Sequence, residues 1–225
     1  MISSTTPGTN LLLQSTTGNL TVQSSTGIST AGTLTLEASN VTVSSNISTN
    51  GGRLVLKAAG RVQVNDNVTL QTNSSDLVLW GGSKGGSGNV LVGQNVCLNT
   101  NNSCDDSVAT AAGNIYIGGG SQGTDFPIGP VSSSSVEGIR MGSLAGGVKI
   151  LSGGGDISLN GTSTAAQGIR ITHPVTIKAT TGGVSLRGTS GTASGTFTSL
   201  RIDQGTTGSS LITSAKTTGT AITLT

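Results

Sequence analysis

Acidic residues and one histidine are the side chains of this chain that could do acid–base chemistry. The chain has 225 residues, of which 9 are acidic and 1 is histidine. The acidic residues are Glu37, Asp66, Asp76, Asp105, Asp106, Asp125, Glu137, Asp156 and Asp203. Hydrolysis of a glycosidic bond needs two carboxyl groups about 5–9.5 Å apart, but only Asp105 and Asp106 are adjacent, and neighbours on a strand face opposite ways. We therefore expect no catalytic site, and His173, followed by Pro174, is predicted to be a solvated turn residue.

Metal and cofactor sites have equally little support in the sequence. Residues 85–89 and 153–156 resemble fragments of the calcium-binding β-roll repeat, but neither fragment recurs at that repeat's short, regular spacing. The two cysteines have no histidine partners nearby for a zinc site. The aromatic residues on which a sugar ring could stack are Trp80, Tyr116, Phe126 and Phe197. The sequence therefore predicts no metal and no cofactor.

Cys97 and Cys104 are the only thiols, and a short Asn-rich segment separates them. In the strand predicted around residues 96–98, Val96 and Leu98 point inward, so alternation places Cys97 on the outer face. From there Cys97 can reach Cys104 across the corner. A disulfide between them would suit an oxidising exterior and stabilise the corner by about 2–3 kcal/mol. Two free surface thiols are the alternative.

The composition excludes several classes of protein. Glycine accounts for 36 residues, charged residues make up 9% and aromatic residues 2%. No heptad pattern or long apolar run is present, which argues against coiled coils and membrane insertion. The formal net charge is +2, without a run of either sign, so we expect no nucleic-acid partner.

Short pairs of alternating apolar residues recur along almost the whole chain. They include Leu20/Val22, Leu34/Leu36, Val41/Val43, Leu54/Leu56, Val62/Val64, Val68/Leu70, Leu77/Leu79, Val90/Val92, Val96/Leu98, Ile115/Ile117, Val148/Ile150, Ile169/Ile171, Val175/Ile177 and Val184/Leu186. Alternation of this kind predicts strands with one buried face. Gly, Ser, Thr and Asn separate the pairs and favour turns between them.

A recurring frame places asparagine at one fixed corner. The pattern apolar-x-apolar-x-x-(Asn or Pro)-apolar starts at Val41, Val62, Val90 and Ile169. Its polar position is occupied by Asn46, Asn67 and Asn95 in the first three cases and by Pro174 in the last. Asparagine tolerates left-handed backbone angles. We therefore predict a structural ladder in which these amides bond from one repeat to the next.

Together these patterns predict an all-β, right-handed parallel β-helix (a β-solenoid) with three short strands per coil and roughly seven coils. Stacked repeats of this kind bury a continuous apolar column that no single repeat could bury. The residues expected to stack in the first sheet are Leu34, Leu54, Leu77, Ile115, Val148 and Val184, and those in the third are Ile47, Val68, Val96 and Val175. Residues 1–225 are interpreted as one solenoid segment, with compact coils over 10–98 and longer corner insertions over 99–225.

The runs GGRLVLKAAGRVQVNDNVTLQTNSSDLVLWGG and GGDISLNGTSTAAQGIRITHPVTIKATTGGVSLRG resemble the repeat shafts of filamentous haemagglutinin-type adhesins of bacteria. The resemblance covers nearly all of residues 10–225. It implies an extracellular or cell-surface location, export through an outer-membrane secretion pore, and a role in adhesion or biofilm formation. The Asn-Pro-Asn-Gly motif of that family's secretion domain does not occur here, and residues 1–7 do not resemble a signal peptide. The chain is therefore expected to be an internal piece of a longer protein.

The function expected from these observations is that of a non-catalytic structural shaft. Its partners would be further coils of the same chain or head-to-tail copies of itself, and a glycan or protein receptor on a host cell or matrix. Long corners at 80–89, 99–113 and 120–136 are candidate contact surfaces, and the most apolar stretch contains Phe126, Pro127, Ile128 and Pro130. The alternatives are a solenoid subunit that polymerises end to end and, with less support, a polysaccharide-active enzyme or phage-type spike.

Overall fold

The structure, a computed structural model, describes residues 2–4, 8–23, 28–101, 103–105, 113–121, 126–127, 129–142, 146–172, 174–191, 199–203 and 210–225. Short strands dominate these residues, and none of them is helical. The strands are β1 Ile2–Ser4, β2 Leu11–Gln14, β3 Asn19–Val22, β4 Ile28–Thr30, β5 Leu34–Ala38, β6 Asn40–Val43, β7 Ile47–Thr49, β8 Leu54–Ala58, β9 Val62–Val64, β10 Thr69–Gln71, β11 Leu77–Trp80, β12 Val90–Val92, β13 Val96–Asn99, β14 Ile115–Gly118, β15 Val131–Ser133, β16 Ile139–Met141, β17 Val148–Ser152, β18 Ile157–Ser163, β19 Ile169–Thr172, β20 Val175–Ala179, β21 Val184–Ser190, β22 Leu200–Asp203, β23 Leu211–Ser214 and β24 Ile222–Leu224.

The strands form three parallel sheets, and each turn of the chain contributes one strand to each sheet. Sheet 1 has the order β2-β5-β8-β11-β14-β18-β21-β24, sheet 2 has β3-β6-β9-β12-β16-β19-β22, and sheet 3 has β1-β4-β7-β10-β13-β17-β20-β23. The short strand β15 lies in an insertion and pairs with β18 outside this order. The predicted fold, a right-handed parallel β-helix with three strands per coil, is confirmed.

A single aliphatic column fills the interior along the axis. Inward positions alternate with outward ones, as in β5, where Leu34 and Leu36 have no exposed surface and the residues after each are only partly buried. The column continues through Leu54, Leu77 and Ile115, also at 0% exposure. Burying one such side chain is worth about 1.5–3 kcal/mol. Since every coil adds several of them, stacking of coils drives the fold.

The register corrects two of the predicted positions. Val148 does not stack in sheet 1: it lies in β17 of sheet 3, next to Val96, and Ile157 takes the sheet 1 position beside Ile115. Glycine pairs precede Val148 in sheet 3 as well as β18 in sheet 1. A glycine pair therefore does not show which sheet the next strand joins. In sheet 3, Ile47 pairs with Leu70 and not with Val68.

Two long corners interrupt the regular succession of strands. Residues 81–89 form one of them, and the described residues 119–121, 126–127 and 129–138, with β15, form another. Gly119 and Gly129 pair in an antiparallel bridge that closes the base of the second. The described residues contain no helix of the length and hydropathy needed to cross a membrane.

Candidate functional site

The corner after β13 is closed by a disulfide between Cys97 and Cys104, whose Cα atoms are 6.2 Å apart. Cys97 lies on the outer face of sheet 3, in register with Thr69 and Lys149, yet it is only 6% exposed. The Asn99 amide donates a hydrogen bond to the Cys104 sulfur at 3.1 Å, and Lys149 Nζ donates one to the Cys104 carbonyl at 3.2 Å. These contacts fasten the corner to the shaft.

The asparagines of the predicted ladder do not all share one register. Asn95 Nδ2 donates to Asn67 Oδ1 at 3.1 Å, and both residues have positive φ, at 53° and 61°. Asn46 instead accepts the backbone N–H of Thr69 at 2.8 Å. The register of β7 with β10 displaces Asn46 by two residues from the series, so Asn67 and Asn95 bond directly to each other and Asn46 bonds to the backbone.

A second polar ladder, absent from the sequence predictions, precedes the strands of sheet 1. Asp76 Oδ1 accepts the backbone N–H of Asn114 at 2.9 Å, Asn114 Oδ1 accepts that of Asp156 at 2.8 Å, and Asp156 Oδ1 accepts that of Gly183 at 2.7 Å. These bonds, charge-assisted where the acceptor is Asp76 or Asp156, satisfy corner amides that no strand reaches. This ladder could have been predicted from the sequence, because Asp or Asn stands immediately before β11, β14 and β18.

A row of buried hydroxyl groups, bonded mostly within their own coils, lies at the corner between sheets 3 and 1. Its members, each at or just after the end of a sheet 3 strand, are Thr30, Thr49, Thr72, Thr100 and Ser152, with exposures of 0–1%. Thr30 donates to the Gly32 carbonyl and Thr100 to the Gly113 carbonyl, both at 2.9 Å. Each hydroxyl thus satisfies a carbonyl that would otherwise be unpaired in the interior.

A small apolar cluster lies on the outer face of sheet 1. Val55, Val78 and Trp80 are at most 7% exposed although they face away from the solenoid core, and Tyr116 packs against them. The Phe126 ring stacks on the Tyr116 ring with centroids 4.9 Å apart. Burial, and secondarily the nearby Asp76 and Asp156 carboxylates, raise the pKa of Tyr116 above its ordinary value. This outer cluster is covered by the corner that follows β14.

The predicted contact loop folds back on its own shaft. Phe126 is 40% exposed and lies on Tyr116, while the Trp80 indole N–H donates to the Gly120 carbonyl at 2.9 Å. Gly118 permits the approach, because an added Cβ would lie 2.9 Å from the Gly129 carbonyl oxygen. Pro127 lies beside Gly118 and Pro130 is exposed, whereas Ile128 falls outside the described residues.

Cation–π and ion-pair contacts extend the outer cluster toward the preceding coil. Lys57 Nζ lies 5.1 Å from the Trp80 ring centroid and 3.5 Å from Glu37 Oε1. The register of β5, β8 and β11 stacks these three residues on adjacent strands. These contacts thus join three adjacent coils on the outer face of sheet 1.

The described carboxylates of sheet 2 are held by arginines. Arg170 contacts Glu137 at 3.2 Å and Asp203 at 3.0 Å, and Arg201 also contacts Asp203. The hydrogen bond to Asp203 raises the pKa of Arg170. Burial raises the pKa of Asp203, but its hydrogen bonds from Arg201 and Arg170 outweigh burial and lower it below the ordinary value. These ion pairs join neighbouring strands of sheet 2.

Three of the residues considered for acid–base chemistry, Asp106, Asp125 and His173, fall outside the described residues.

Among the described residues, no group of three or more His, Cys, Asp or Glu side chains could hold a metal ion. The groups that do converge join successive coils or fasten loops to the shaft. Comparison with known proteins yields no family model, no curated protein and no solved structure that matches the chain. The assignment that fold and sequence support together is therefore a β-solenoid repeat protein.

Proposed function

We propose that this chain is a structural shaft segment of a secreted or cell-surface bacterial adhesin or extracellular fibre, and that it is not an enzyme. The observation that carries the proposal is the unbroken aliphatic column inside three parallel sheets. Hydrogen bonds between successive coils run along the axis in every sheet. A rod of this construction holds its ends apart and displays its corners at fixed positions.

The contacts outside the core support a mechanical role. The polar ladders at the corners, the outer cluster and the Arg170 ion pairs all join one coil to another. None of them leaves an acid and a base facing an open groove in the part of the chain that the structure describes. Their common effect is to oppose separation of coils.

The disulfide supports an extracellular location. Bridges of this kind persist in oxidising compartments and are rare in the reducing cytosol. The resemblance to haemagglutinin-type repeats favours the same location and suggests an outer-membrane pore as the export route. A glycan or protein receptor on a host cell or matrix would then contact the projecting corners.

End-to-end polymerisation is a second candidate, favoured by the constant register of the apolar column. Ile222 and Leu224 of β24 pair in register with Val184 and Leu186, which lie in the core. A coil from another copy would stack on such a column in the same register. Light scattering at increasing protein concentration tests this candidate. A particle mass that grows with concentration, and that no longer grows in Leu224→Glu, supports polymerisation. A constant monomer mass contradicts it.

Force spectroscopy tests the shaft role. With the chain pulled from its two ends, a shaft should resist and then release length in steps of about one coil, since each coil contacts mainly its neighbours. Leu77→Ala, in the centre of the column, should lower the force of the middle steps, whereas Arg187→Gln, on the outer face, should not. Smooth extension at low force, unaffected by Leu77→Ala, would contradict the proposal.

A further inference from the structure

A polar cleft of about 500 Å³ lies along the corner that leads into sheet 2. Asn19, Asn40, Arg61 and Asn89 occupy its floor, one from each of four successive coils. The exposed Ser135 and Val136 belong to the insertion that forms one wall. The described residues of this lining contain amides, hydroxyls and a guanidinium, and none of them has an aromatic ring or a carboxylate.

The floor is a hydrogen-bond relay in which Arg61 donates both ways, toward Asn40 and toward Asn89. Asn40 Nδ2 donates to Asn19 Oδ1 at 2.9 Å, and the Arg61 backbone N–H donates to Asn40 Oδ1 at 2.8 Å. Arg61 Nε then donates to Asn89 Oδ1 at 3.1 Å. Because a guanidinium can only donate, Asn89 must present its oxygen to Arg61, and its NH₂ group is left at the end of the relay.

That terminal amide is buried without a partner. Asn89 is 4% exposed, and its Nδ2 atom makes no hydrogen bond. Folded proteins pair the large majority of buried side-chain polar atoms, and an unpaired one calls for an explanation. An acceptor oxygen from a ligand in the cleft would pair it, reaching the buried nitrogen after a local adjustment of the wall.

A second cleft, of about 320 Å³, adjoins the first through Gln63. It is lined by Arg140, which is exposed and has no hydrogen bond or ion pair among the described residues. Gln63, Leu91 and Arg140 stand in register on three successive strands, so Gln63 and Arg140 are about 10 Å apart along the axis. Asp66, on the far wall, accepts the Gln94 backbone N–H at 2.9 Å.

The arginines that line these clefts differ from the other arginines of sheet 2. Arg170 and Arg201 follow Arg140 in register on the next two strands, and both are ion-paired with Asp203. Arg140 has no such acid, and the terminal nitrogens of the Arg61 guanidinium have no partner in the described part of the chain. Within the described residues, these two cations thus have no acidic partner, and both line the connected clefts.

We propose that the two clefts form one binding site for an acidic polysaccharide lying along the rod axis. Carboxylate or sulfate groups of the sugar chain pair with Arg61 and Arg140, and a sugar oxygen accepts the Asn89 amide N–H. A nucleic acid is less suited, because the lining offers no aromatic ring for base stacking and the chain carries a net charge of only +2. The proposal goes beyond the shaft role and does not depend on it.

Calorimetric titration of the intact chain with defined oligosaccharides tests the site. The probes are a polygalacturonate hexamer for carboxylates, a heparin hexasaccharide for sulfates, neutral maltohexaose, and a single-stranded DNA oligomer of matched charge. We expect at least one acidic sugar to bind with an affinity that falls as salt rises, and maltohexaose to bind at least about tenfold more weakly, as loss of charge-assisted hydrogen bonds implies. Which acidic probe binds distinguishes a carboxylated from a sulfated ligand.

Variants locate the binding within the molecule. Arg61→Gln and Arg140→Gln should each weaken binding about tenfold, whereas Arg187→Gln, an exposed arginine on sheet 1, should leave it within about twofold. Asn89→Asp keeps an oxygen for Arg61, removes the N–H and adds a negative charge beside Arg61, so it should weaken binding of acidic sugars while the circular dichroism spectrum is unchanged. Absence of binding by both acidic sugars, equal binding of the DNA oligomer, or equal losses in Arg187→Gln and Arg140→Gln would each overturn the proposal.

Discussion

Adjacent residues in this solenoid have opposite environments, and Val68 and Thr69 show it most simply. Val68 is 2% exposed and belongs to the core, whereas the side chain of Thr69 faces outward beside Cys97. We expect Val68→Asp to cost several kcal/mol, since it buries an unpaired charge, and Thr69→Asp to change stability by less than about 1 kcal/mol. Urea unfolding followed by circular dichroism measures both, and similar losses in the two variants would contradict the inward–outward assignment.

The bond between Cys97 and Cys104 should stabilise the corner after β13. Their disulfide closes a short corner, and removing it with Cys104→Ser should reduce the free energy of unfolding by about 2–3 kcal/mol. Mass spectrometry of the protein alkylated under denaturing, non-reducing conditions should show no added label. Labelling at both cysteines would show that the thiols are free.

Among the strands and loops, the corner after β14 should shield the outer cluster from solvent. Trp80 is the only tryptophan and is 1% exposed, so the wavelength of its fluorescence emission shows whether the corner shields it from water. Phe126→Ala removes the ring stacked on Tyr116 and should shift the emission to longer wavelength, with a loss of about 1 kcal/mol. Tyr116→Phe keeps the stack and is the matched control. An unchanged spectrum in Phe126→Ala would mean that the loop does not cover Trp80.

The ion-pair cluster of sheet 2 predicts a specific acid sensitivity. Because the arginines lower the pKa of Asp203, its contribution to stability is fully present above the ordinary value of about 3.9 and is lost as the pH falls through the lower folded-state pKa. Asp203→Asn should cost about 1 kcal/mol or less at neutral pH, given the partial exposure of its partners. Thermal unfolding over a pH series should show this difference shrinking below about pH 4. A difference that stays constant into strong acid would contradict the assignment.

The sequence predicted these elements well where spacing was regular and poorly where it was not. Alternation placed Leu34, Leu54 and Leu77 in one column because the compact coils have similar lengths. The prediction failed at Val148, since the corner before it is long and glycine pairs precede more than one kind of corner. The stacking of Phe126 on Tyr116 could not be predicted either, because contacts between a loop and an outer face depend on tertiary geometry rather than on periodicity.

At the scale of the whole molecule, the contacts have a common direction. Strand pairing, the aliphatic column and the corner ladders all run parallel to the axis, so each coil is stabilised by its neighbours. The insertions do not interrupt this arrangement, because sheets 1, 2 and 3 continue past them in register. A molecule built in this way can vary its corners without changing its shaft.

Immunogold electron microscopy on the cells that produce this chain tests whether the chain forms a shaft at the cell surface. Antibodies raised against the folded segment would be applied to intact and to permeabilised cells. For a surface shaft, we expect gold particles on thin extended structures outside intact cells, with no further gain after permeabilisation. Label that appears only after permeabilisation, or that follows compact particles in the cell interior, would contradict it.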